Sequence, residues 1–420
     1  MKIQAPRGTT DILPQDTAKW QYLENIAQTV FNNYNYQEIR TPIFESTELF
    51  TRGIGEATDI VQKEMYTFED KSQREITLRP EGTASVVRAF LENKIYGQAQ
   101  PTKYFYFGPM FRYERPQTGR YRQFHQLGAE VFGSYDPAID VEVIKLGLDI
   151  LSELGLKNFA LHLNSIGCPE CRPAYIEQLK DYLKPYLEQL CDNCQDRFER
   201  NPLRILDCKA DRDLEFMADV PKIYDNLCSE CDEHFTKVKG YLDDLEVDYI
   251  LNPRLVRGLD YYSKTAFEVI YNGLGAQDTI FGGGRYDALV EEIGGRDVPG
   301  IGFAMGIERL LLSLEEEEVK LPIEEGVDVY LITIGEVARK AAVKYMYQLR
   351  AAGFKVDLDY LDRAVGTQMK AADRNNAKYS IIIGENELEK GELAVKNMKS
   401  GEQFAVAIDK LVEKMEGFLK

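Results

Sequence analysis

Two runs of strand-forming residues on either side of a basic turn constrain this chain most. Tyr104, Phe105, Tyr106 and Phe107, then Phe111 and Tyr113, form an aromatic run, and Gln123-Phe124-His125-Gln126 reads as a returning strand. Pro116 and Gly119 supply turn chemistry between them, which predicts an antiparallel hairpin with a long loop. Arg112, Arg115, Arg120 and Arg122 fall within eleven residues of a chain whose formal charge is -18. A planar guanidinium forks onto two phosphate oxygens, so this loop fits a polyphosphate or an RNA end. A solvated charge cluster is the plainer alternative.

Length and composition bound what surrounds the hairpin. A chain of 420 residues predicts two or three domains, each with its own core. At 44% hydrophobic and 29% charged the composition is that of a soluble globular protein. No apolar run approaches membrane-spanning length, and residues 1–8 lack a signal peptide's apolar core. The expectation is a cytoplasmic chain with no membrane partner. An acidic total still permits a nucleic-acid partner, provided local basic patches meet it. Residues 327–420 carry 15 Lys/Arg against 14 Asp/Glu, a net +1, leaving -19 for everything before them. The last module is electrostatically distinct.

Apolar spacing at Trp20, Leu23, Ile26, Ala27, Val30 and Phe31 predicts one face of a helix. Residues 36–44 read as a strand that Pro42 confines to an edge or an interface, because proline cannot donate to a ladder. At Pro80-Glu81-Gly82-Thr83 a strand turns into a helix. Thr83 is a candidate N-cap there, and Glu81 a candidate partner for a ligand's ammonium. Residues 168–240 are polar, helical in pattern and studded with cysteines, which marks an insertion. Strands resume after it, and a charged, proline-bearing linker (315–326) leads to a small terminal α/β module.

Five of these stretches, in order, resemble the signatures of bacterial-type histidyl-tRNA synthetases, a branch of the class II aminoacyl-tRNA synthetases. Residues 36–44 with Pro42 resemble the dimer-forming first motif, 111–114 with the loop after them the second, and 302–309 the third. Residues 255–262 and 283–287 resemble stretches peculiar to the histidine-specific branch. The resemblance implies an α+β catalytic domain over 1–325, built on a mixed, mainly antiparallel sheet. A helical, Cys-containing insertion (168–245) interrupts it, and an α/β anticodon-binding domain follows over 326–420.

It also implies roles. The family joins L-histidine to ATP as histidyl-adenylate, releasing pyrophosphate, then moves histidine to the 3′ end of tRNA(His). Arg112 would hold the α-phosphate and the substrate carboxylate, Arg309 the γ-phosphate, and Glu114 the adenine amine, with ATP arriving as its Mg2+ complex. Arg257 would be the distinctive catalytic cation beside the α-phosphate, also within reach of histidine. Glu130 and Tyr262 would read the two imidazole nitrogens; Glu81, Thr83 and Gln126 would take the ammonium and carboxylate, and Tyr261 and Tyr286 would line the same pocket. Arg115, Gln117 and Arg120 would face the tRNA acceptor end, in a homodimeric enzyme. The alternative is a synthetase-like regulatory subunit of histidine biosynthesis, which lacks the anticodon module and parts of the ATP site.

The seven cysteines stay open between buried thiols and metal ligands. Cys168-x-x-Cys171 followed by Cys191-x-x-Cys194 falls within a zinc spacing, and Cys228-x-x-Cys231 offers a further pair. The family's catalysis does not call for zinc, so no metal ligand is assigned and a structural zinc remains the alternative.

Overall fold

In a computed structural model, residues 3–55, 58–273 and 279–419 are described. The chain divides into two compact units, Met1–Leu321 and Pro322–Lys420.

The first unit is organised on eight strands: β1 (Gln37–Glu38), β2 (Thr102–Phe111), β3 (Gln123–Phe132), β4 (Phe159–Ser165), β5 (Tyr249–Leu251), β6 (Ser263–Tyr271), β7 (Thr279–Arg285) and β8 (Gly300–Gly306). Their spatial order is β1-β2-β3-β8-β7-β6-β4-β5. Only the outermost pairs, β1 with β2 and β4 with β5, are parallel. The predicted hairpin is β2–β3, in continuous register from Thr102↔Phe132 to Phe111↔Gln123. One face of the sheet is covered by α1 (Pro14–Asn33) and α3 (Pro137–Glu153), with the shorter α2 (Thr83–Glu92) between them in sequence. Along α1 the spacing of Leu23, Ala27, Val30 and Phe31 gives one apolar stripe, and all four are buried. Phe31 stacks on Phe105 of β2 at 4.4 Å between ring centroids. Such a pair contributes about 1 kcal/mol beyond the area it buries.

The strand expected over 36–44 is instead two fragments in different sheets. Gln37–Glu38 edges the large sheet, while Phe44–Ser46 belongs to a three-stranded sheet with Glu75–Leu78 and Tyr66–Glu69. Pro42 has no N–H to offer a ladder. The carbonyls around it are taken by a side chain instead: Arg79 Nη1 donates to Thr41 O at 3.2 Å and to Pro42 O at 3.4 Å.

Between β4 and β5 lie α4 (Arg172–Leu183), α5 (Asp192–Arg200) and α6 (Ser229–Asp244). Within the stretch read as helical in pattern, residues 201–228 carry only short 3-10 turns. This stretch buries isolated anchors (Ile205, Phe216, Met217, Ile223) that lack the repeat of a helical stripe. After β8 comes α7 (Ile307–Glu316).

The second unit has five strands, β9 (Val329–Thr333), β10 (Val356–Leu358), β11 (Tyr379–Ile383), β12 (Glu392–Asn397) and β13 (Gln403–Ala407), ordered β10-β9-β11-β12-β13. Its own core includes Val329, Leu331, Leu349, Ile381, Ile383 and Val395. Among the described residues no helix is long and apolar enough to cross a membrane.

Candidate active site

The site begins at the corner where Glu75–Leu78 turns into α2. Helix N-termini expose N–H groups that need acceptors. Here Glu81 supplies them: its carboxylate accepts from Thr83 N at 2.6 Å and Ala84 N at 2.8 Å. Thr83 is therefore not the cap. Its hydroxyl is left to donate to Glu130 Oε1 at 2.7 Å, which carries the corner across to β3.

On β3, Gln126 and Glu130 lie four residues apart on one face, opposite Gly306 and Gly302 of β8. The glycine at 302 makes room. A Cβ built there would sit 1.9 Å from Glu130 Oε2 and 2.4 Å from Ala129 O. Glu130 is fully buried and also accepts from the Tyr286 hydroxyl. Burial is the main reason its carboxyl is pushed up to about 8, against neighbouring hydroxyl donors that favour the ionised form. Burial raises Glu81 as well, although its two backbone donors oppose this. Gln126 Oε1 is buried without a hydrogen-bond partner. An unpaired buried acceptor costs free energy of about 1–3 kcal/mol unless a ligand supplies a donor.

In front of this pocket opens a cleft of about 260 Å³. Its walls bring together Glu81, Thr83, Arg112, Glu114, Arg120, Gln126, Arg257, Tyr261, Tyr262 and Arg309. Arg112, at the end of β2, is pinned by donation from Nε to Pro80 O at 2.9 Å and lies over Phe124 at 5.3 Å. Arg257 sits over Gly282, pairs with Glu268 and packs 5.5 Å from the Tyr262 ring centroid, while its Nε has no partner. Arg309, on the first turn of α7, links the hairpin loop to β7, donating from Nε to Gly119 O at 3.1 Å and from Nη1 to Thr279 O at 3.0 Å. Glu130 and Tyr286 stand behind the lining, with Tyr286 5.7 Å from Tyr261 in an edge-to-face contact. Arg115 and Gln117 are exposed and do not line the cleft. Arg120 is held in an ion pair with Glu114.

Two groups escaped sequence reading. Glu268 on β6 neutralises Arg257, and its only sequence signal is a charge inside the apolar run 266–271. Asp140 on α3 is the other. Fully buried, it accepts from Arg285, from His234 at 2.7 Å and from Thr265 Oγ1 at 2.6 Å, which fixes β7 where Tyr286 follows. Nothing in an amphipathic helix pattern distinguishes such an aspartate from a solvated one.

A family model for histidyl-tRNA synthetase matches residues 8–310, and one for an anticodon-binding domain matches 328–417. The chain belongs to the histidyl-tRNA synthetase family. A histidine–tRNA ligase of Halothermothrix orenii is 61% identical over 99% of both chains, and one of Pelotomaculum thermopropionicum is 55% identical over 98% of this chain and 97% of that one. Among solved structures, the apo histidyl-tRNA synthetase of S. aureus superposes with a TM-score of 0.85 at 45% identity, covering 99% of this chain and all of that one. A Bacillus halodurans chain described as an ATP phosphoribosyltransferase regulatory subunit/histidyl-tRNA synthetase superposes at 0.64 with 21% identity, covering 91% of this chain and 98% of that one. That likeness speaks for the fold alone. Family membership accounts for the mixed sheet, and the anticodon-binding match accounts for the separate second unit.

Proposed function

We propose that this cleft activates L-histidine with ATP and then charges tRNA(His). The observation that carries the reading is one cleft lined by Arg112, Arg257 and Arg309 together with the unpaired Gln126 carbonyl and the Tyr262 ring. In the first step a histidine carboxylate oxygen attacks the α-phosphorus of Mg2+-bound ATP, a P–O bond forms, and pyrophosphate leaves. Such a step needs positioning and charge stabilisation rather than a covalent intermediate on the protein. Arg112 and Arg257 supply fixed cations for the α-phosphoryl oxygens, and Arg309 meets the γ-phosphate from the rim. Glu114 accepts from the adenine amine once Arg120 swings away to the phosphates or the tRNA end.

The imidazole enters above Glu130 and Tyr262, one on each ring nitrogen, against Tyr261 and with Tyr286 behind it. Gln126 Oε1 and Glu81 take the α-ammonium, with Thr83 beside them. A pocket that leaves buried polar groups unpaired rejects side chains without two ring nitrogens. In the second step a hydroxyl at the tRNA 3′ end attacks the histidyl carbonyl and AMP leaves. Arg115 and Gln117, which are exposed, meet that end together with Arg120, and the second unit reads the anticodon.

We further propose that the enzyme works in the cytoplasm as a homodimer. The non-catalytic regulatory alternative dispenses with the anticodon module, whereas this chain carries it together with all three arginines. Incubation with ATP, Mg2+, radiolabelled histidine and a tRNA(His) transcript tests the function. Acid-precipitable histidyl-tRNA is expected, and well-folded protein that makes none overturns the reading.

A further inference from the structure

Four cysteines that are far apart in sequence meet at the base of the insertion. Cys168 and Cys171 at its entry face Cys228 and Cys231 on the first turn of α6, so the partner of the first pair is not Cys191/Cys194, as spacing alone proposed. Cys191, Cys194, Cys208 and Asp211 form a second group. In each group the four donor atoms lie within 4.8 Å of one another.

The distances separate a metal knot from disulfides. A disulfide holds its sulfurs about 2.05 Å apart. Four thiolates at about 2.3 Å from a tetrahedral zinc stand roughly 3.8 Å from each other. The Sγ–Sγ separations are 3.7 Å for Cys168–Cys171, 3.8 Å for Cys168–Cys228, 3.9 Å for Cys171–Cys231 and 3.8 Å for Cys191–Cys208. Cys171, Cys191 and Cys228 stand at the N-caps of α4, α5 and α6, so the two groups lie where these helices begin. Outer contacts fix the ligands too. Cys168 N donates to Cys171 Sγ at 3.3 Å, and Cys191 N donates to Asp211 Oδ1 at 3.1 Å.

We propose that the insertion is built on two zinc ions, one held by Cys168, Cys171, Cys228 and Cys231 and the other by Cys191, Cys194, Cys208 and Asp211. Binding displaces one proton from each thiol, four at the first knot and three at the second, with no change of oxidation state. Each knot joins chain segments that lie far apart in sequence, 60 residues between Cys168 and Cys228 and 17 between Cys191 and Cys208. The first also abuts the catalytic site: Arg172, next to Cys171, donates from Nη2 to Tyr262 O at 2.6 Å and from Nε to Ile166 O at 3.1 Å. This proposal stands independently of the reaction assigned to the cleft.

The test is metal content of the full chain, purified under reducing conditions without chelators and then dialysed against zinc and back. Two zinc ions per chain are expected. Cys208→Ser and Cys231→Ser should each lose one, and the cobalt-substituted protein should show the intense visible bands and thiolate charge transfer of a tetrahedral site. If a variant fails to fold, alkylation of the intact chain substitutes for it. All seven cysteines should resist iodoacetamide until a chelator is added. Fewer than roughly 0.2 zinc per chain, or cysteines that alkylate equally with and without chelator, overturns the proposal. A content of one overturns it for the group whose variant leaves that content unchanged.

Discussion

Glu130 shows how a single buried side chain makes stability depend on pH. Its carboxyl titrates near 8 when folded, against an ordinary 4.5. Between those values the folded chain holds a proton that the unfolded chain has released, so rising pH favours unfolding there. This contribution is complete below pH 4.5, declines through the window and is gone above pH 8. Glu130→Gln removes the titration, so the variant's urea midpoint should stay flatter between about pH 5 and about pH 9, and exceed the parent's at the alkaline end. The same substitution should raise the KM for histidine by roughly 100-fold, because an amide matches the imidazole in one orientation only. Arg257 was legible from the resemblance, but its counter-ion Glu268 was not, since sequence distance says nothing about which strand neighbour faces a side chain across a sheet. Arg257→Ala should lower kcat for adenylate formation by roughly 100- to 1,000-fold while histidine still binds, read by single-turnover rates and calorimetry.

At the level of elements, the hairpin β2–β3 was legible because alternation and turn residues are local signals. The break at Pro42 and the reassignment of the helix cap from Thr83 to Glu81 were not. Each depends on a donor arriving from elsewhere in the chain or on a choice between adjacent oxygens. The cysteine pairing failed for the same reason: proximity in sequence suggested one grouping, and the fold of the insertion chose another. Gly302 tests the register of β3 against β8. With a methyl placed 1.9 Å from Glu130 Oε2, Gly302→Ala should cost about 1–3 kcal/mol in stability and abolish saturable histidine binding. The buried network behind β7 gives a second check. Asp140→Ala strips buried Arg285 of its main carboxylate, leaving only Asp287 at 3.2 Å, and should destabilise the first unit by about 3 kcal/mol in a chemical melt.

For the whole molecule, charge and architecture point the same way. A strongly acidic first unit still lines one cleft with Arg112, Arg120, Arg257 and Arg309, and a near-neutral second unit has a core of its own. A chain ending at Leu321 should keep histidine-dependent adenylate formation and lose at least roughly 100-fold in kcat/KM for tRNA charging. The central claim, that this cleft forms histidyl-adenylate, is tested most directly by exchange of labelled pyrophosphate into ATP. Exchange should depend on histidine, fail with the other amino acids and fall by at least roughly 100-fold in Arg257→Ala. Exchange that is absent from folded protein, or that proceeds equally well without histidine, would contradict the account.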